Sequence, residues 1–158
     1  MDPKVLTALS SLVRQQRTLA LGAIRDGGPQ VTLAAYAVRT DFQAFYLFLS
    51  RLARHTRAIE EDNQVGFMIA EPDSGVGDPQ TLQRLSLQGT VVRVDPRDDD
   101  AEIARSLYLE RFPDAVRLLQ LGDFSFFRIT PTKGRFVAGF AQAYNVGALD
   151  LSQAAESS

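Results

Sequence analysis

Arg51, Arg54, His55 and Arg57 crowd into the first half of a segment, Leu49–Asp62, that reads as a short helix, and Glu60, Glu61 and Asp62 close its second half. A helix is partially positive at its N-terminus and negative at its C-terminus, so this order is reversed, and each misplaced exposed charge costs about 0.3–1 kcal/mol. An anion seated at the basic end would remove the penalty. Free backbone N–H groups, a Ser50 hydroxyl at the N-cap position and two or three cationic side chains make a phosphate site there. The alternative is a solvated charged face with pairs such as Arg57 and Glu61, each worth roughly 0.2–0.5 kcal/mol. A second helix, expected over 98–111, is an internal control. It opens on Asp98, Asp99, Asp100 and Glu102 and closes on Arg111, the favourable order.

The rest of the reactive inventory is short. The chain has no cysteine, which excludes disulfides, thiolate metal sites and a cysteine nucleophile, and its one histidine excludes a multi-histidine metal site. No metal is expected, and no side chain presents itself as a catalytic general base. With 17 basic and 19 acidic residues the formal net charge is -2, without the broad basic excess of a nucleic-acid or membrane-surface protein. The ligand implied is a small anionic molecule. No basic segment followed by an apolar stretch opens the chain, and no run approaches the roughly 18 apolar residues of a membrane span, so a cytoplasmic location is expected.

These residues need a scaffold, and 158 residues with 45% hydrophobic content suffice for one packed domain. Val5, Leu9, Leu12 and Val13 predict a helix over 4–16, with Ser10, Ser11, Arg14 and Gln15 on its polar side. Strand-like runs cover 18–24 and 31–38, joined by a turn at Asp26-Gly27. Both runs are apolar on both faces and rich in small residues, as in a closed barrel where a backbone or a flat ligand approaches closely. Further strands are expected over 44–49 and 64–70, then a Gly/Pro-rich loop over 71–79. From Leu85 the apolar residues alternate through Leu87, Gly89 and Val91, then slip to Val92 and Val94, which reads as a β-bulge. A short helix near 113–121 and a strand pair, 124–130 and 135–140, follow. The sum is a mainly β (α+β) domain, an antiparallel six-stranded split β-barrel with flanking helices over residues 1–146, and a C-terminal tail over 147–158.

The order of Val31-Thr-Leu-Ala-Ala-Tyr36, Leu49-Ser-Arg-Leu-Ala-Arg-His-Thr-Arg57, Arg84-Leu-Ser-Leu-Gln-Gly89 and Gly139-Phe-Ala-Gln-Ala143 resembles the pyridoxamine 5'-phosphate oxidase-like FMN-binding split-barrel superfamily. Within it, the chain is most similar to the small bacterial branch related to HugZ-type haem-utilisation proteins. The resemblance implies FMN as cofactor, with Arg54 and His55 on its phosphate and Ser50 and Thr56 as hydroxyl partners. It implies that the main chain of Thr32, Leu33 and Ala34 lies along the flavin ring and that Arg84 occupies a further polar cofactor position. It also implies a homodimer with the cofactor at the interface. The activity implied is an FMN-dependent oxidoreductase acting on a small-molecule substrate. A haem-binding or haem-degrading protein of the HugZ type, or a non-catalytic flavin carrier, stays open. The oxidases' C-terminal Trp and Arg substrate motif has no counterpart, since the chain has no tryptophan.

Overall fold

The computed structural model describes residues 1–157. Helix α1 (Pro3–Gln15) starts where the Asp2 carboxylate accepts the Lys4 N–H and Pro3 supplies a preset φ. Strands β1 (Thr18–Arg25) and β2 (Gly28–Ala35) form a hairpin around Asp26 and Gly27, both at positive φ, as a two-residue turn requires. There follow β3 (Ala37–Val38), β4 (Phe45–Ser50), α2 (Arg54–Glu61), β5 (Gln64–Ala70), β6 (Arg84–Arg93), α3 (Asp99–Arg111), β7 (Phe124–Gly139), β8 (Gln142–Gly147) and α4 (Ala148–Ala155). A 3-10 helix over Pro113–Gln120 links α3 to β7.

All strand pairs are antiparallel, in the order β2-β1-β5-β6-β7-β4-β3, with β8 on the far half of β7. The chain passes from β2 through buried Tyr36 straight into β3, at the opposite end of that order, so the sheet curls into a half-barrel. Its interior is filled by Phe45, Leu47, Ile69, Leu85, Phe127 and Phe136, all essentially inaccessible. The Tyr36 hydroxyl donates to the Val13 carbonyl at 2.6 Å and ties α1 to this core. A second apolar cluster holds α3 and the 3-10 helix on the outside of β4 and β7, through Phe48, Tyr108, Phe112 and Phe126. Beside it the Tyr46 hydroxyl and Arg128 both bond the Asp100 carboxylate, and burial with that bond pushes the Tyr46 hydroxyl up to about 12.

The mainly β architecture agrees with expectation, and four details differ. The expected strand pair over 124–140 is one 16-residue strand, β7, whose partner is β8. The run 31–38 is broken at Tyr36 into β2 and β3, and β8 adds a further strand, so eight strands form where six were expected. The bulge belongs to β7: Gln88 faces Lys133 and Gly89 faces Pro131, leaving Thr132 as the extra residue, while the alternation of β6 continues through Val91 and leaves Val92 exposed. The tail is a helix. α4 buries Leu151 and Ala154, and Arg14 donates to the carbonyls of Ala155 and Ser157, with buried Ser10 donating to the latter.

Candidate functional site

Helix α2 begins later than the charge pattern suggests. Strand β4 runs on through Ser50, which pairs with Phe124, and a turn over 51–53 precedes the helix. Ser50 is therefore not the N-cap: its hydroxyl donates to Asp123 at 3.0 Å and accepts the Leu52 N–H at 3.2 Å. The N-cap is Ala53, whose methyl group cannot hydrogen-bond, so Arg54, His55 and Thr56 form a first turn with no side-chain cap. No acidic residue lies in that turn and no basic one in the last, so the reversed polarity is real. Among the described residues, Arg54 and Arg57 join no ion pair. Thr56 is fully buried and its hydroxyl has no hydrogen-bond partner. Such a group costs about 1–3 kcal/mol, and an orphan of this kind calls for an explanation. A bound oxyanion at the turn would supply one. His55 is half-buried, and burial holds its imidazole below the ordinary value of 6.5.

A second feature lies on the outer face of the sheet. Directly opposed residues of an antiparallel pair share a face, so the register places Leu33, Ala20, Met68, Ser86, Arg135 and Asn145 in one row across six strands. The next row on the same face runs Val31, Gly22, Gly66, Gln88 and Lys133. Apart from Leu33, which stands at its border, these residues line a trough of about 850 Å³. Its floor is bare backbone where Gly22 meets Gly66; a Cβ on Gly22 would stand 3.3 Å from the Gly66 carbonyl oxygen. One side is apolar, with Val31 75% and Leu33 71% exposed. The other is cationic: Arg135 donates to Asn145, and Lys133 joins no ion pair among the described residues. Sequence reasoning missed this trough; the signal available was the two-sided apolar character of the first two strands.

The expected site residues thus divide. Arg54, His55 and Thr56 share one helical turn, which packs against β1 and β2, and Ser50 lies just before it. Thr32, Leu33 and Ala34 sit on β2, an edge strand paired only with β1, so every second residue there turns its main-chain groups to a free edge. Ala34 packs in the core cluster with Ala58 and Ile59 of α2. Arg84 is not brought to them. It begins β6, three strand spacings or about 14 Å from β2, and its guanidinium donates to the carbonyls of Gln80 and Leu82 at 3.0 Å each. Of the C-terminal aromatics, Phe127 and Phe136 are core, while Phe140 is 81% exposed at the β7–β8 turn.

The family model of pyridoxamine 5'-phosphate oxidase matches residues 5–138. The chain belongs to this family. It is 31% identical over 142 residues to heme oxygenase HutZ of Vibrio cholerae, covering 87% of this chain and 78% of that protein. It is 33% identical over 120 residues to the chloroplastic non-canonical heme oxygenase HOZ of Arabidopsis thaliana, covering 75% of this chain and about a third, 35%, of that one. A solved structure of a heme binding protein from Mycobacterium smegmatis superposes with a TM-score of 0.84 at 20% identity, over 96% of this chain and 61% of the other, and shares the fold. The family's half-barrel with flanking helices is therefore the frame of this chain. Among the described residues no helix is long and apolar enough to cross a membrane.

Proposed function

We propose that this protein binds haem against the open face of its sheet and acts on it as its haem-oxygenase relatives do. The observation that carries the reading is the trough: a flat, glycine-floored apolar surface with Lys133 and Arg135 along one side. It is the complement of a planar apolar macrocycle bearing carboxylates. The residues fit that group, with Met68 offering the one thioether on this face. Haem would bring its own iron chemistry, and the chain would supply position, a dry floor and counter-charge. A second copy of the chain laid on this face would cover Val31 and Leu33, which are a liability on a monomer. The homodimer with its ligand between the two sheets is part of the same proposal. Titration of the purified protein with hemin tests it: a saturable shifted Soret band, lost in a Lys133→Glu, Arg135→Glu variant, is expected, and free-hemin spectra throughout would refute it.

An FMN-dependent oxidoreductase acting on a small molecule is the second reading, and a specific observation favours it. The uncapped first turn of α2, with Arg54, His55 and the orphaned Thr56 hydroxyl, fits a flavin phosphate, and the free edge of β2 fits a flavin ring. Stoichiometric quenching of FMN fluorescence without a Soret shift would favour this reading over haem. Cytoplasmic residence accords with both readings.

A further inference from the structure

The anion site at α2 contains a titratable residue where its other donors have fixed charge or none. Arg54 and Arg57 bring guanidinium donors, and the backbone N–H groups and the Thr56 hydroxyl are neutral. His55, second residue of the turn, is the exception. We propose that capture of a phosphomonoester at the first turn of α2 takes up one proton, and that His55 receives it. The inference rests on the anion-site reading of α2 given above, and it adds a pH dependence to that site.

The surroundings of the imidazole carry the argument. The elements packed most extensively on α2 are β1 and β2. Strand β1 contributes one ionisable side chain, Arg25, which lies 3.9 Å from Asp26 at the hairpin turn, and β2 contributes none. In the preceding turn Arg51 donates to the Gly122 carbonyl, and nearby Asp123 is held by Ser50. The acids of the helix itself, Glu60 and Glu61, lie in its last turn. No carboxylate therefore supports an imidazolium in the free protein, while burial disfavours it. A phosphate reaching the uncapped N–H groups and Thr56 brings two negative charges into this half-buried position. Opposite charge at contact distance favours the protonated imidazole, which then donates to the anion.

The linkage has a definite sign. His55 is neutral when free at pH 7 and charged when the anion is bound, so affinity rises as pH falls between the free and bound values, by up to about tenfold per pH unit for one proton. The phosphate's own second ionisation, near 6, opposes this only below about pH 7. From pH 7 up to the bound value, any slope in affinity belongs to the histidine.

The chain has one histidine, so its imidazole resonances in NMR need no assignment. Titration of full-length protein alone, with inorganic phosphate, with FMN and with riboflavin should show the His55 midpoint rising by at least one pH unit with phosphate or FMN and staying put with riboflavin. His55→Lys should bind FMN with an affinity flat over pH 7 to 8.5. FMN binding with an unmoved His55 midpoint would overturn the inference while leaving the anion site intact. No binding of either phosphate would overturn both. An equal shift with riboflavin would show that the ring, not the anion, acts on the imidazole, and would also overturn the inference.

Discussion

Replacing Thr56 by valine should make the free protein more stable and the anion site worse, a combination few buried positions give. The side chain is inaccessible and its hydroxyl has no partner, so the folded state bears a desolvated polar group that water would satisfy in the unfolded chain. That deficit is about 1–3 kcal/mol. Valine exchanges the hydroxyl for a methyl of similar size and remains β-branched, so it fits the same space and removes most of the deficit. A gain of roughly 1–2 kcal/mol raises Tm by about 2–8 °C for a chain of this length. If the same hydroxyl donates to a bound phosphate, its loss removes a charge-assisted hydrogen bond of about 1.5–3 kcal/mol, weakening FMN or phosphate by roughly 10- to 150-fold. Calorimetric unfolding without ligand and titration with FMN read the two effects separately. Thr56→Ser, which keeps the hydroxyl, should lose stability to the missing methyl and keep its affinity. A valine variant less stable than wild type would show that the hydroxyl is already satisfied, and unchanged FMN affinity would remove Thr56 from the site.

Other consequences are as definite. Arg54→Ala should weaken FMN by about 1.5–3 kcal/mol, the worth of a charged hydrogen bond, in a fluorescence titration; wild-type affinity would detach the reversed helix charges from anion binding. Ligand-free protein should lose stability as pH falls from 6.5, because burial lowers the folded value of His55 and the unfolded chain takes up the proton first. The contribution is fully present above 6.5, and a His55→Gln variant with the same acid slope in denaturant midpoints would contradict it. Gly134→Ala would drive a Cβ into the Ser86 carbonyl oxygen, against backbone that cannot swing aside, and should cost about 1–3 kcal/mol by forcing β6 and β7 apart; an unchanged urea midpoint would show that the strands give way freely. Val31→Lys, in the middle of the exposed apolar strip, should leave a folded monomer by light scattering if that face is the self-association surface, and an intact dimer would place the interface elsewhere.

The charge order of α2 was legible because it is a local property, and the helix over 98–111, carrying the opposite order, made the contrast visible in one chain. Its N-cap was not. Ser50 has the composition of a cap, but strand pairing with Phe124 holds it in β4 and gives its hydroxyl to Asp123, a tertiary competition that propensity does not register. The phase slip near Val92 likewise points to β6, whereas the extra residue lies in β7. Gly89 is small because a Cβ would stand 2.6 Å from the Thr130 carbonyl oxygen, and the residue accommodated there is Thr132 of β7, some forty positions on. The C-terminal helix offered a signal in Leu151 and Ala154, one turn apart. What holds it is Arg14, whose role depends on carbonyls at the far end of the chain.

The trough shows most clearly what register adds to pattern. Gly22 and Gly66 carry no chemistry, and nothing in the sequence says that they face each other. Only after β1 pairs with both β2 and β5 do two glycines become one bare floor, with Val31 on one flank and Lys133 two strands beyond Gly66 on the other. The proposed anion site needs the opposite ingredient. Its cations are contiguous, but its most telling member is a threonine whose value lies in burial without a partner, and burial is set by the packing of α2 on β1 and β2. The two features also differ in what would abolish them. A glycine floor is lost by any side chain that fills it, whereas a reversed helix is lost by any charge swap that stabilises it. Restoring the favourable order would gain up to about 1 kcal/mol per charge in the free protein. A helix with cations at its N-terminus and an unpaired threonine hydroxyl gives up stability in the free protein, which is the physical reason for proposing α2 as a binding element and not as a strut.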